Sequence, residues 1–367
     1  MLKLQLTLRE QGYIVRKHTD NLEAYDAFLR GREYYERLTK EAHAQARQMF
    51  EKATELDPQY VEAYAWLGWT YLIEWLWRWS ADPQTLEHAL TLAQQALALD
   101  DSLPFAHTVL SFVYAQKQQY DQAVAEGERA IALDPNNADS YSAQANVLNA
   151  AGRPQEALQL VERAMRLNPH YPAVYLFNLG VAYRATGRYT EAIAALKEAI
   201  TRNPNMPAHF TLAASYLLQW ADQLSQDPQT LAQALAAVQR AIALSDSLPT
   251  RTILGTIYLW QKQYDQAIAE MERAIAVAPN RADSYAGLAE VLSRGGRPEE
   301  ALGLAEQALR LGFPPHGVDS HLESLGAVYY LAGRSEEAIA PLKEFRSRFP
   351  NRLAAPLTLA AVYSELG

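Results

Sequence analysis

The chain has 367 residues, 49% of them hydrophobic, which is long and apolar enough for two or three ordinary domains or one extended array and excludes a disordered tail. Its 33 basic and 42 acidic residues give a net charge of -9, which repels phosphate backbones and anionic lipid, so neither nucleic acid nor a membrane is expected as a partner. Cysteine is absent, which excludes disulfides, thiolate metal sites and cysteine nucleophiles and fits a reducing compartment, with the bacterial cytoplasm as the expectation.

Residues 1–23 carry charges throughout and lack the apolar centre and small-residue cleavage site of a signal peptide. They read as an N-terminal arm or the remnant of an upstream junction. From residue 24 the pattern is helical, and two kinds of segment alternate. One is written around Leu67, Gly68 and Tyr71, then Leu179, Gly180 and Tyr183, then Leu254, Gly255 and Tyr258, then Leu325, Gly326 and Tyr329, steps that keep one face of a helix. The other runs Ala46, Phe50, Ala53 and Pro58, and recurs from Ala157, Ala192 and Ala267. Gly-Arg pairs at 152–153, 187–188 and 333–334 mark the turns between them, and Asp-Pro or Asn-Pro pairs end the second helix. The spacing predicts helix hairpins with a period of 34, the mark of a solenoid. The expected fold is all-α, an α-solenoid of about nine antiparallel hairpins over 24–352, followed by the first helix of a tenth over 353–367.

A longer copy lies over this period. The blocks 61–206 and 207–352 both contain DPQTL, DSLP, QYDQA, ADSY and GRP in that order, and YDQAVAEGERAIALDPNNADSY at 120–141 returns at 264–285 with five changes. One hairpin cannot bury its own apolar face, so copying a four-repeat block lengthens an array without inventing a new core. Five tryptophans, Trp66, Trp69, Trp75, Trp77 and Trp79, fall in the lengthened second repeat, where packing of their rings is expected to stabilise the insertion. Trp220 holds a comparable place in the copied block.

These residues resemble the tetratricopeptide repeat family from about Asn21 to Gly367. Departures are Tyr64, Tyr141 and Tyr285 at the early tryptophan position, and Asp101, Asp246 and Phe313 at the terminal proline. Stretches such as YVEAYAWLGWTYL and AGRPQEALQLVERAMRLNPHYP look like the C-terminal repeat region of bacterial class III adenylate/guanylate cyclase-like signalling proteins, in which the array follows a catalytic domain and a TolB-like domain. No cyclase catalytic domain is written here, so the chain reads as a piece of such a protein or a free-standing relative.

The resemblance implies that the first helix of each repeat lines a concave groove through its second, fifth, ninth and twelfth positions. Carried onto this chain, that register makes Trp69, Leu72, Phe105 and Phe112 an apolar end. Asn146, Asn149 and Arg184 follow, then Thr252, Thr256 and Glu290, with Arg294 adjacent. The asparagine amides suit hydrogen bonds to the backbone of an extended peptide. The lysine clamp of chaperone-binding members is not reproduced.

No enzyme, metal site or cofactor is expected. The eight histidines lack metal-ligand spacing, and Ser293–Pro298 reads as a turn rather than a phosphate loop. The leading expectation is a non-catalytic scaffold for protein partners. The alternatives are a regulatory or dimerising arm of a cyclase-like enzyme, or a self-associating module acting through the unfinished last repeat.

Overall fold

In the computed structural model, residues 19–366 are described except 38, 78, 81, 83, 205, 207, 223–226, 245–246, 312–320 and 349–353. Residues 1–18 of the expected N-terminal arm, and Asp246 and Phe313, lie outside the described residues. The described residues form nineteen α-helices and no strand. In chain order they are α1 (Leu22–Glu36), α2 (Lys40–Leu56), α3 (Val61–Leu76), α4 (Gln84–Leu99), α5 (Pro104–Gln116), α6 (Tyr120–Leu133) and α7 (Ala138–Ala150). Next come α8 (Pro154–Leu167), α9 (Ala173–Ala185), α10 (Tyr189–Arg202), α11 (Ala208–Ala221), α12 (Pro228–Leu244) and α13 (Leu248–Trp260). The last are α14 (Tyr264–Val277), α15 (Ala282–Arg294), α16 (Pro298–Leu311), α17 (His321–Leu331), α18 (Ser335–Arg348) and α19 (Ala354–Leu366). Nineteen is the number of helices expected from nine repeats and the first helix of a tenth.

The chain divides into two compact units, α1–α7 and α8–α19, apart from Arg166–Asn168 at the end of α8, which group with the first. This division falls inside the first copied block rather than at its end.

Local chemistry sets the helix ends. Asn21 caps α1, its side chain accepting from the Glu23 and Ala24 amides at 3.0 and 3.1 Å, and Thr39 caps α2 by accepting from the Ala42 amide. Second helices stop where Asp57, Asp134 and Asn203, each before proline, take extended φ values of -138°, -139° and -141°. The turn glycines Gly187, Gly296 and Gly333 have φ of 78°, 84° and 71°, the left-handed region that favours glycine.

Over α1–α7 in the first unit and α9–α19 in the second, the two helices of a pair pack on each other, the second packs on the first of the next pair, and successive first helices touch. The small positions are where the backbones close. A Cβ on Gly180 would sit 2.6 Å from Leu196, and one on Gly326 2.3 Å from Leu342. The first unit buries Phe28, Phe50, Tyr60 and Leu67 in one cluster and Leu72, Leu86, Val109 and Val113 in another. The second unit buries Leu196, Tyr216, Val238 and Ile257, then Met271, Val291 and Leu325, then Leu342, Phe345 and Val362. Truncating one such large residue to alanine costs about 3 kcal/mol.

Candidate protein-interaction face

In the first unit the first helices of successive pairs carry a continuous row of rings. The Arg32 guanidinium of α1 stacks 3.8 Å over Trp66 of α3, and Trp66 lies 4.6 Å from Phe105 of α5. A second line runs beside it. Trp69 Nε1 donates to Tyr35 Oη at 2.7 Å, and the Trp69 ring meets Phe105 at 5.8 Å and Phe112 edge-on at 5.4 Å. Tyr35 joins the two lines through an edge contact with Trp66 at 5.2 Å. Edge-to-face and offset pairs at these distances are favourable beyond the area they bury, so the row holds its own shape.

Burial tunes the polar groups in it. Desolvation pushes the Tyr35 hydroxyl above its ordinary value, opposed by the Trp69 hydrogen bond and by Arg32, so the phenol stays a neutral partner for the indole. Desolvation pulls the Arg32 guanidinium somewhat below its usual range, countered chiefly by Glu36. Trp69, Phe105 and Phe112 are half-buried and keep part of each ring open to contact.

Leu72 does not belong to this face. It is fully buried among Leu86, Ala89, Val109 and Val113, because α4 and α5 both close over that side of α3. Asn146 and Asn149 lie half-buried on α7, which packs beside α5, and each is already engaged by another group. Arg32 and Tyr35 were missed as face residues, although the signal was present: they stand one 34-residue period before Trp66 and Trp69.

In the second unit the predicted residues make a different surface. Arg294 Nε pairs with Glu290 Oε1 at 2.9 Å, Glu290 Oε2 accepts from Ser324 Oγ at 2.5 Å, and the Arg294 guanidinium lies 5.5 Å from the Trp260 ring. Glu290 and Arg294 thus satisfy each other. Thr256 Oγ1 donates back to the Thr252 carbonyl at 2.9 Å, and Arg184 is half-buried and engaged. This face is a polar network rather than an apolar row.

Of the tryptophans in the lengthened repeat, Trp66 and Trp69 belong to the ring row, whereas Trp77 and Trp79 pack on the first unit. Trp77 and Trp79 meet edge-on at 4.7 Å, and Trp79 covers His43 at 5.1 Å. Trp220 packs on the core of the second unit. Among the described residues no group of three or more His, Asp or Glu side chains is placed to hold a metal ion, and no helix is long and apolar enough to cross a membrane.

Sequence models of the tetratricopeptide repeat family match residues 49–78, 106–137, 127–159, 148–216, 246–312 and 294–352, more than half of the chain. The chain belongs to the tetratricopeptide repeat family. Proteins of this family generally mediate protein–protein interactions, and the fold is generally non-catalytic.

Among curated relatives, this tetratricopeptide repeat protein is 34% identical over 123 residues to the Rhizobium meliloti (strain 1021) protein named "Putative adenylate cyclase 3", a match covering 33% of this chain and 21% of that one. It is 27% identical over 288 residues to "Cellulose synthase operon protein C" of Pseudomonas fluorescens (strain SBW25), covering 76% of this chain and 20% of that one. The matches thus span about a fifth of each relative's length. Among solved structures, a tetratricopeptide repeat protein of Parabacteroides merdae superposes with a TM-score of 0.53 at 17% identity, over 72% of this chain and 99% of that one. A human IFIT1 dimer with m7Gppp-AAAA superposes with a TM-score of 0.54 at 19% identity, over 74% and 68%. At these identities the likeness is one of fold.

Proposed function

We propose that this protein is a non-catalytic scaffold that takes a segment of a protein partner on the face built by the first helices of its repeats. The observation that carries the reading is the ring row of the first unit, in which Arg32, Tyr35, Trp66, Trp69, Phe105 and Phe112 from three successive first helices touch in sequence. Partly open aromatic rings beside an arginine are the chemistry of interface hot spots. Asn146 and Asn149 on the next first helix are half-buried and already engaged, so they border the row and the rings carry the contact. A protein rather than a nucleic acid is the partner because the net charge is -9 and the face carries a single stacked cation in place of a basic stripe.

A pull-down from host lysate tests it, comparing the wild type with a Trp69→Ala, Phe112→Ala variant of unchanged helical circular dichroism. Loss of a captured partner with the variant supports the reading, and full retention of every captured protein removes it.

A second reading rests on the 34% identity to the Rhizobium meliloti protein: the array serves as a regulatory arm of a cyclase-like signalling protein. Fusing the chain to such a catalytic domain and finding cyclase activity indifferent to the array would remove that reading.

A further inference from the structure

The arginines of α1 are not held alike. Arg30 pairs with Asp26 at 2.9 Å, and Arg37, just past the helix end, pairs with Glu33 at 2.7 Å. Both pairs run along the helix's own surface at i, i+4 spacing. Arg32 instead reaches across to α3 and lays its guanidinium 3.8 Å over the Trp66 ring. Its Nε is buried without an acceptor, and among the described residues no hydrogen bond or ion pair reaches its other nitrogens. Glu36, one turn further along α1, acts on it only through space.

Stacking uses the face of a guanidinium and leaves free the edge that carries its donors. The indole fixes the plane, so the edge is offered in one orientation and little freedom is lost when an acceptor arrives. The acceptor that matches it is planar with two oxygens: a carboxylate meets a guanidinium through parallel charge-assisted bonds. Tyr35, three residues on, adds a donor on the same helix. Its Oη accepts from Trp69 Nε1 at 2.7 Å, which leaves its own hydrogen to give, and no acceptor takes that hydrogen among the described residues.

We propose that Arg32 is the polar anchor of the aromatic row, taking the carboxylate of an aspartate or glutamate side chain in a partner segment whose apolar side chains lie on Trp69, Phe105 and Phe112. This deepens the interaction-face reading and rests on it. The complementarity is local. Beside rings that exclude water an ion pair is stronger than in bulk solvent, whereas the chain's net charge of -9 repels a run of acids at long range. The fitting segment therefore carries a single acid a few residues from aromatic or aliphatic ones. A basic segment would set like charges together at Arg32 and leave its donors unmatched.

Selection on the full chain from a random peptide library displayed on phage tests the anchor. Each peptide is fused through its C-terminus, so an acid preference reports side chains alone. Peptides enriched on the wild type over Trp69→Ala, Phe112→Ala should carry apolar residues with one Asp or Glu at a fixed spacing from them. Arg32→Met should keep the apolar preference and lose the acid. Apolar enrichment without an acid, or an acid preference that Arg32→Met leaves unchanged, overturns the anchor while the face reading stands. No enrichment over the double variant overturns both.

Calorimetry with an enriched peptide, synthesised with a blocked C-terminus, gives the magnitude. The wild type should bind it about tenfold or more tightly than its amide form, with Gln for Glu or Asn for Asp, and Arg32→Met should bind the two forms equally. If Arg32→Met does not fold, Arg32→Lys, which keeps the charge without the planar fork, should weaken the acidic peptide and leave the amide form unmoved. Equal binding of acid and amide forms to the wild type overturns the anchor, and so does a peptide that binds only once its terminal carboxylate is freed.

Discussion

A Cβ placed on Gly127 of α6 would come within 1.6 Å of Gln144 Oε1 on α7. The glycine makes room for the glutamine, whose Nε2 donates to the Val124 carbonyl at 3.0 Å while the side chain is 2% exposed. In the copied block these positions are Met271 and Leu288, and the small residues have moved to Gly255 and Gly287. A Cβ on either of those would lie 2.9 Å from the Met271 side chain, and in the first block the same two positions are Ser111 and Ala143. One hole is filled from α7 in the first unit and from α14 in the second.

Gly127→Ala should therefore invert the usual sign. In an ordinary helix interior that change stabilises by about 0.5–1 kcal/mol, whereas here overpacking should cost about 1–3 kcal/mol. Urea unfolding of the single variant and of Gly127→Ala with Gln144→Leu should show the loss and then its partial recovery.

His43 should make stability fall on the acid side. Its ring is fully buried against Tyr35 at 4.9 Å and Trp79 at 5.1 Å, with neither nitrogen hydrogen-bonded among the described residues. Desolvation pushes its pKa down to about 4 from 6.5. The folded value lies below the unfolded one, so the contribution is complete above about pH 6.5 and is lost as the pH falls toward 4, by about 3 kcal/mol in all. Denaturation midpoints of wild type and His43→Phe across that window should diverge, the variant being the flatter.

Arg47 and Glu74 link α2 and α3 through Nη1 contacts of 2.8 and 3.1 Å to the two carboxylate oxygens, with Glu74 8% exposed. Burial raises the Glu74 pKa and Arg47 holds it back. Arg47→Met strands a buried carboxylate and should cost about 3 kcal/mol or more, while Arg47→Met with Glu74→Met should regain most of it. Chemical denaturation of the three proteins checks the coupling.

Gln118 and Lys262, at equivalent turn positions of the two blocks, take φ of 60° where other repeats place glycine. Gln118→Gly and Lys262→Gly should each stabilise by about 1 kcal/mol, read as a higher melting temperature.

The hairpins were legible because helix periodicity, turn glycines and the Asp-Pro stops repeat on a fixed period. The site was legible only in part. Register placed Trp69, Phe105 and Phe112 on the ring row, yet it could not see that α4 and α5 both close over Leu72. Pairs such as His107 with Glu126 and Arg47 with Glu74 join residues on different helices, so no local pattern announces them. Glu290 and Arg294 were read as separate groove residues, although their i, i+4 spacing allowed the ion pair that occupies both.

The measurement that bears most directly on the interaction face is site-specific photocrosslinking in host lysate, with a benzophenone side chain placed at Phe112 of α5 or at the exposed Glu128 of α6. A discrete protein adduct at 112 and none at 128 is the predicted result. An adduct at 128 with none at 112 would place the partner on the second helices and contradict the assignment of the aromatic row as the binding face.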